Sequence, residues 1–349
     1  MDKILTVVIP TYNMEKLLDQ CLTSLIIDDS DLLKQLEILV VIDGSKDRSS
    51  EIAHSYQTKY PYTFRVIDKE NGNYGSCINR GLKEASGKYI KILDADDSFD
   101  NHNFSLFLHY LLKIDADCIM TDMKKVDEEG RDLEVCSYDL PSNEKFSLNC
   151  LGKAVDSMWM HCVCYRTENL RRINYRQTEG ISYTDQEWIC LPMSTAKSLM
   201  YFPYVIYKYL VGRDGQTISP DVWNKNFWME LRGVNVMIDQ RSNLYDGCSE
   251  DGKLYIDMRI KHRILTCYHA YIMKFKSYDA NDLMIDLDRR IAVYDSQFYK
   301  YLENKCRALR IFPYVTIWRI SYNPNGIYLK SIRALSNIVN IVRQISSRK

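Results

Sequence analysis

Residues 88–97 read KYIKILDADD. A strand-like run, KYIKILD (88–94), leads straight into three carboxylates within four residues: Asp94, Asp96 and Asp97. Its neighbours say what kind of fold would do this. Upstream, ILTVVIP (4–10), LEILVVI (36–42) and TFRVID (63–68) are apolar, β-branched runs of strand length. Between them the apolar positions switch to helical spacing. Leu17, Leu18, Cys21, Leu22, Leu25 and Ile26 mark one helix, Asp47-Arg48-Ser49 opens a second, and 75–86 forms a third that Gly87 closes as a C-cap. Downstream, a helix over 101–114 precedes a fifth strand, ADCIMTD (116–122). Strands alternating with helices predict an α/β fold, a mostly parallel sheet covered on both faces. Ligands in such sheets bind beyond the carboxyl ends of the strands.

The rest of the chain is organised differently. Residues 123–220 are less regular: VCSYDL and MWMHCVCYR read as strands, and RTENLRRI as a short helix beginning after Arg166. From about 221 the pattern is helical, over 222–240, 252–276, 281–303 and 327–346. These shifts predict two domains, 1–220 and a helical C-terminal region, 221–349. The last helix repeats Tyr328, Ile332, Leu335, Ile338, Val339, Val342 and Ile345 on one side, against Lys330, Arg333, Asn337, Asn340, Arg343 and Gln344. That is a basic amphipathic helix.

Charge is unevenly spread. The net charge is zero, yet nine basic and no acidic residues follow Glu303, so the first 303 residues carry a net of minus nine. Eleven cysteines are scattered without any C-x-x-C, which argues against structural zinc and for a reducing compartment. MDKILTVVIP opens as a strand rather than a signal peptide, and no apolar run reaches membrane-spanning length. The expected location is cytoplasmic.

The carboxylates fall where that sheet would gather them. Asp43 ends the second strand and Asp94, Asp96 and Asp97 end the fourth, on one edge. Clustered carboxylates repel one another, and a divalent cation removes that cost. Oxygen ligands in a loop suit Mg²⁺ or Mn²⁺, which also bridge to phosphate. The plainer alternative is a solvated turn whose aspartates cap a helix.

VVIPTYNMEKLLDQCLTSL (7–25), EILVVIDGSKDRS (37–49) and NGNYGSCINRGLKEASGKYIKILDADD (71–97) stand in the order and spacing of glycosyltransferase family 2. These are GT-A fold nucleotide-sugar transferases with a Rossmann-like sheet. The chain resembles them closely over about 4–125 and more loosely over 150–220. The resemblance implies that Pro10, Thr11, Tyr12 and Glu15 line the nucleotide and that Asp43 hydrogen-bonds a uracil-like base. It implies too that Asn79 and Gly81 lie where the chain passes the nucleotide. Asp94 and Ala95 would adjoin ribose or sugar hydroxyls, and Asp96, with Asp97, would bind the metal. Two positions depart from the pattern: Ile42 replaces a first aspartate, and Ile78 an arginine. Asn73-Tyr74-Gly75 replaces a run of small residues and, by the resemblance, would shape the donor pocket.

The family mostly inverts the anomeric centre, which requires a base for the acceptor hydroxyl. GISYTDQEWICLPM (180–193) supplies Asp185, 89 residues after Asp96, with Glu187 second. The same residues would also suit the first turn of a helix over 185–198. Trp188, Trp159 and Tyr183 are candidates for an acceptor platform or for core packing. His161, among apolar residues, reads first as a core histidine, although the resemblance also allows a histidine near the site. In YKYLVGRDGQTIS (207–219), Arg213 and Gln216 are candidates for the diphosphate, since the arginine fork matches phosphate.

The resulting expectation is a metal-dependent, inverting hexosyltransferase. It would move sugar from a UDP-sugar to a saccharide or lipid-linked glycan in bacterial surface polysaccharide synthesis. The basic tail would rest on an anionic membrane, on the acidic body or on a second subunit of a homodimer; no motif supports nucleic acid. A nucleotidyltransferase would need a glycine-rich loop after the first strand, where this chain has PTYNMEK. A binding or scaffold protein would keep the fold without needing Asp94, Asp96 and Asp185.

Overall fold

The computed structural model describes residues 2–213, 220–245, 248–274 and 280–346. The chain divides into two compact units, residues 1–216 with 241–256, and residues 217–240 with 257–349.

Among the described residues the first unit is built on nine strands: β1 (Leu5–Thr11), β2 (Leu36–Asp43), β3 (Phe64–Lys69), β4 (Tyr89–Ile92), β5 (Ser98–Phe99), β6 (Cys118–Val126), β7 (Asp132–Cys136), β8 (Val163–Arg166) and β9 (Leu199–Leu210). They form one sheet in the order β3-β2-β1-β4-β8-β6-β9-β5, with β7 alongside β6. The half β3-β2-β1-β4 is parallel, as is the long β6–β9 pairing. β8 is antiparallel to both β4 and β6. Helices α1 (Leu18–Thr23), α2 (Ser30–Lys34), α3 (Ser49–Lys59), α4 (Asn73–Glu84), α5 (Asn101–Lys113), α6 (Thr167–Arg172) and α7 (Asp185–Cys190) accompany it. All eight residues of β2 are buried, as expected of a central parallel strand.

Registers follow from close approach as well as from hydrophobicity. Gly81 on α4 lies so near β1 that a Cβ would sit 2.4 Å from Val8 Cγ1. Gly87 is no helix cap: α4 ends at Glu84, and a Cβ on Gly87 would lie 2.4 Å from the Thr6 amide. Its role is to let the start of β4 pass β1. MWMHCVCYR holds a strand only over Val163–Arg166, after a 3₁₀ turn at Met160–Cys162. VCSYDL contributes only its first two residues to β7. The expected 185–198 helix stops at Cys190, followed by a 3₁₀ turn, Met193–Thr195.

The remaining helices are α8 (Pro220–Lys225), α9 (Phe227–Tyr245), α10 (Glu250–His269), α11 (Asn281–Tyr294), α12 (Ser296–Lys305), α13 (Tyr314–Ser321) and α14 (Ile327–Ser346), with the unit limits falling inside α9 and α10. The expected 281–303 helix breaks at Asp295, whose backbone is extended and whose carboxylate accepts from Phe298 N at 2.8 Å. In the second unit, buried Asp288 gathers the guanidinium of Arg319 (2.8 Å) and the hydroxyls of Tyr268, Tyr299 and Tyr322. A short hairpin, β10 (Arg307–Ala308) and β11 (Phe312–Pro313), precedes α13. Leu329 and Ile332 anchor α14, whereas Ile327, Tyr328, Leu335, Ile338, Ile341 and Val342 are exposed. The side chains of Gln344 and Ile345 lie outside the described residues. No helix among the described residues is long and apolar enough to cross a membrane.

Candidate active site

Parallel pairing brings the predicted acids to one edge. Thr11 of β1 stands opposite Ile42, the residue before Asp43, and Val8 opposite Ile92, two residues before Asp94. The chain then turns through Asp94, Ala95, Asp96 and Asp97 into β5. Ala95 is buried, and Asp97 N donates to Asp94 O at 3.0 Å, closing the turn.

The three aspartates have different surroundings. Asp97 is 3% exposed, and its carboxylate accepts from Tyr207 Oη at 2.6 Å and Leu210 N at 2.7 Å. Burial and the charges of Asp96 and Asp94 push its carboxyl well above the ordinary range. Asp96 is raised too, by burial and Asp94, with Arg213 opposing; that guanidinium donates to Oδ2 from Nε at 2.9 Å and Nη2 at 2.5 Å. Asp94 accepts from Tyr74 Oη at 2.7 Å, and its Oδ2 is 3.5 Å from His161 Nε2. Burial first and these carboxylates second raise the phenols of Tyr74, Tyr207 and Tyr209.

His161, whose apolar neighbours favour a core role, lies at the site. The antiparallel pairing of β8 with β4 seats it beside Asp94, within 4.6 Å of the Tyr207 ring and 4.9 Å of Tyr209. Its backbone carbonyl accepts from buried Lys91 Nζ at 2.6 Å. Its Nδ1 is buried with no hydrogen-bond partner among the described residues. Ligand atoms of Asp94, Asp97 and His161 all lie within 4.8 Å of one another. Two carboxylates with an imidazole fit a divalent cation, and suit Mn²⁺ better than Mg²⁺.

Asp185, exposed in the first turn of α7, adds its charge to those of Asp94 and Asp96 at Tyr74 and Tyr209. Glu187 is instead buried and accepts from Thr178 N at 2.8 Å. Trp188 is fully buried, edge-on to Tyr165 and Tyr175, so it packs the core and is no platform. Trp159 is half-buried, 6.1 Å from the His161 ring, with Lys125 Nζ over it at 5.1 Å. Tyr183 is also half-buried.

The residues expected at the nucleotide divide in two. Pro10 and Thr11 end β1, Tyr12 is 46% exposed beyond it, and Glu15 accepts from Arg48 N at 3.1 Å. Asp43 is buried and holds Lys69 Nζ (2.5 Å), Gly72 N (2.9 Å) and Asn73 N (3.0 Å), so it fixes the start of α4. Asn79 exchanges hydrogen bonds with the Gln177 backbone (2.8 and 3.0 Å) and reaches Glu179. Gln177 Nε2 donates to Thr184 O, at the head of α7, at 3.2 Å. Asn79 thus ties α4 to the segment carrying Asp185, and Gly81 packs on Val8. Gln216 lies outside the described residues.

Among known proteins, the match to a family, Glycosyl transferase family 2, covers residues 6–173. An uncharacterized glycosyltransferase, the MG060 homolog of Mycoplasma pneumoniae, is 35% identical over 124 residues, 35% of this chain and 41% of that protein. The minor teichoic acid biosynthesis protein GgaB of Bacillus subtilis is 28% identical over 229 residues, 64% of this chain and 25% of that protein. The chain therefore spans less than half of either relative's length. TarS 1–349 of S. aureus, solved in complex with UDP-GlcNAc, superposes with a TM-score of 0.70 at 19% identity, covering 94% of this chain and 92% of that one. That likeness is one of fold, a GT-A fold. The family match runs from β1 through the Asp94–Asp97 turn and His161 to α6, so residues 6–173 of this chain match glycosyl transferase family 2.

Proposed function

We propose that this protein transfers a sugar from a nucleoside-diphosphate sugar, a UDP-sugar first, to a hydroxyl of a saccharide or lipid-linked glycan, with inversion. The polymer would be a bacterial surface glycan, a reading supported by the likeness to GgaB. One observation carries the proposal: Asp94, Asp97 and His161 converge at the sheet edge, and the charge of Asp185 acts on Tyr74, whose hydroxyl donates to Asp94.

Asp185, solvent-exposed, takes the proton of the acceptor hydroxyl as the glycosidic bond forms. Asn79 and Gln177 hold the segment that carries it. Asp94, fixed by Tyr74, orients hydroxyls of the donor. Trp159 and Tyr12 offer ring faces to sugar and base. Arg213, now on Asp96, exchanges that carboxylate for the donor diphosphate, which its fork matches. A divalent cation held by Asp97, His161 and Asp94, with Asp96 beside them, would neutralise charge on the departing nucleoside diphosphate. The exposed apolar side of α14, with the cations around it, supports residence at an anionic membrane where lipid-linked acceptors are presented.

Calorimetric titration of UDP with and without Mn²⁺, repeated with GDP, tests the donor. Binding of UDP that requires Mn²⁺ supports the reading. Metal-independent binding removes the metal, and a preference for GDP removes the uridine donor.

A further inference from the structure

The second unit contains a cleft of about 480 Å³ remote in sequence from the acids described above. Four cationic side chains line it: Lys305 at the end of α12, Arg307 and Arg310 on the β10–β11 hairpin, and Arg343 on α14. His269, Tyr314, Ser336 and Asn340 add polar groups to its wall, and among the described residues no carboxylate lines it.

Three observations indicate a ligand. First, none of the four cations forms an ion pair with a carboxylate among the described residues; Arg307 donates only to Asn304 O, at 2.9 Å, and Lys305 lies over the Tyr301 ring. A sphere of that volume is roughly 10 Å across, about the Debye length at 0.1 M salt, so the four charges share one field. Second, Ser336 Oγ is buried and has no hydrogen-bond partner among the described residues. Third, the hairpin turn that presents Arg310 holds two successive non-glycine residues in the left-handed region, Leu309 at φ 51° and Arg310 at φ 63°. Such backbone is unfavourable for a residue with a side chain, so the surrounding structure imposes the turn.

We propose that this cleft is an anion site that takes a phosphate ester. A carboxylate would offset one charge of four, whereas a phosphate monoester carries nearly two and presents three oxygens. Guanidinium forks match that geometry in pairs. Ser336, Asn340 and His269 supply further donors, as oxyanion recognition requires. The exposed apolar side chains of α14 are on the side of the helix opposite Ser336, Asn340 and Arg343, so the cleft is a separate feature from that stripe.

The test titrates inorganic phosphate and glycerol 3-phosphate into the full chain against sodium chloride of matched ionic strength. The paired variant Arg307→Gln with Arg310→Gln should weaken binding at least tenfold, while Lys300→Gln, an exposed lysine outside the cleft, should leave it unchanged. Binding that survives in the paired variant would belong to another site, so the donor reading does not enter the result. Both positions are exposed, and circular dichroism melts without phosphate check that the variants fold. Flotation on phosphatidylglycerol vesicles assigns the source. If the paired variant also fails to float, the ester is a lipid headgroup; if it floats as before, the ester is soluble. Phosphate no better than chloride, or cleft variants with wild-type affinity, would overturn the site.

Discussion

Asp97 is the residue at which the conflict between folding and function is sharpest. It is buried beside two other carboxylates, and its own carboxyl is raised well above the ordinary value of 3.8 by burial and by Asp96 and Asp94. In the unfolded chain it ionises near 3.8, while in the fold it holds its proton to higher pH. The unfolded state therefore binds fewer protons over that window, and stability falls as pH rises through it. Asp97→Asn should raise the melting midpoint of the metal-free protein by a few degrees at pH 7 and much less at pH 4, with transfer lost. A midpoint lowered at both pH values would mean that the bonds from Tyr207 and Leu210 matter more than the charge. The acids were legible in the sequence because they follow a strand directly. His161 was not: its flanking residues, Met160 and Cys162, are apolar, and only the antiparallel seating of β8 against β4 takes it to Asp94. Tyr207 was hidden for the same reason, since its partner Asp97 is 110 residues away.

Elements, rather than single residues, decide which acid can act as the base. Asp185 and Glu187 share the first turn of α7, and spacing alone could not separate them. The helix is only six residues long, and Glu187 points inward to Thr178 N while Asp185 is solvent-exposed. Asp185→Asn should leave UDP affinity unchanged and lower turnover by about 10²–10⁴, the usual contribution of a general base; turnover within threefold of wild type would remove the assignment. Asn79 belongs to the same scale, because it acts through Gln177 on the head of α7. Asn79→Ala is expected to lower kcat about tenfold with UDP affinity intact, whereas a loss of UDP affinity alone would return Asn79 to the nucleotide. The helical half illustrates what periodicity hides. Apolar spacing ran through 281–303 without interruption, yet Asp295 stops one helix and caps the next. Burial is the largest single influence and raises its carboxyl, but Lys261 and Phe298 N together outweigh it and the net direction is down from 3.8. Its stabilising effect is thus complete above 3.8 and lost as pH falls through the lower folded value. Replacement by alanine should cost about 1 kcal/mol in denaturant titrations at pH 7 and nothing below that value.

At the scale of the whole molecule, charge is partitioned along the chain. The nine cations and no acids after Glu303 were visible as a count, and the amphipathic repeat of α14 as a period, but neither says which way the helix faces. The structure turns Leu329 and Ile332 inward and makes Arg333 a donor to the carbonyls of Ile272 and Pro324, both at 2.7 Å. Ile327, Ile338, Ile341 and Val342 are then at least 55% exposed along the opposite side. Such a stripe costs solubility unless it meets a bilayer or a second copy. Charge separates the two: a copy would set the exposed cations of α14, Lys330 and Arg343, against their own kind, whereas an anionic leaflet attracts each by up to about 1 kcal/mol. The expected occupant is the leaflet. Ile338→Ser with Ile341→Ser changes no charge and spares Leu329, Ile332 and Arg333, so the helix keeps its anchors. Vesicles containing phosphatidylglycerol should retain the double variant at least tenfold less than the wild type, since each isoleucine buried in the interface contributes on the order of 1–2 kcal/mol. UDP affinity should not move. If retention is unchanged and light scattering instead shows the double variant losing a dimer that the wild type forms, the stripe is a subunit interface, and the cations alone remain to hold the protein at a membrane.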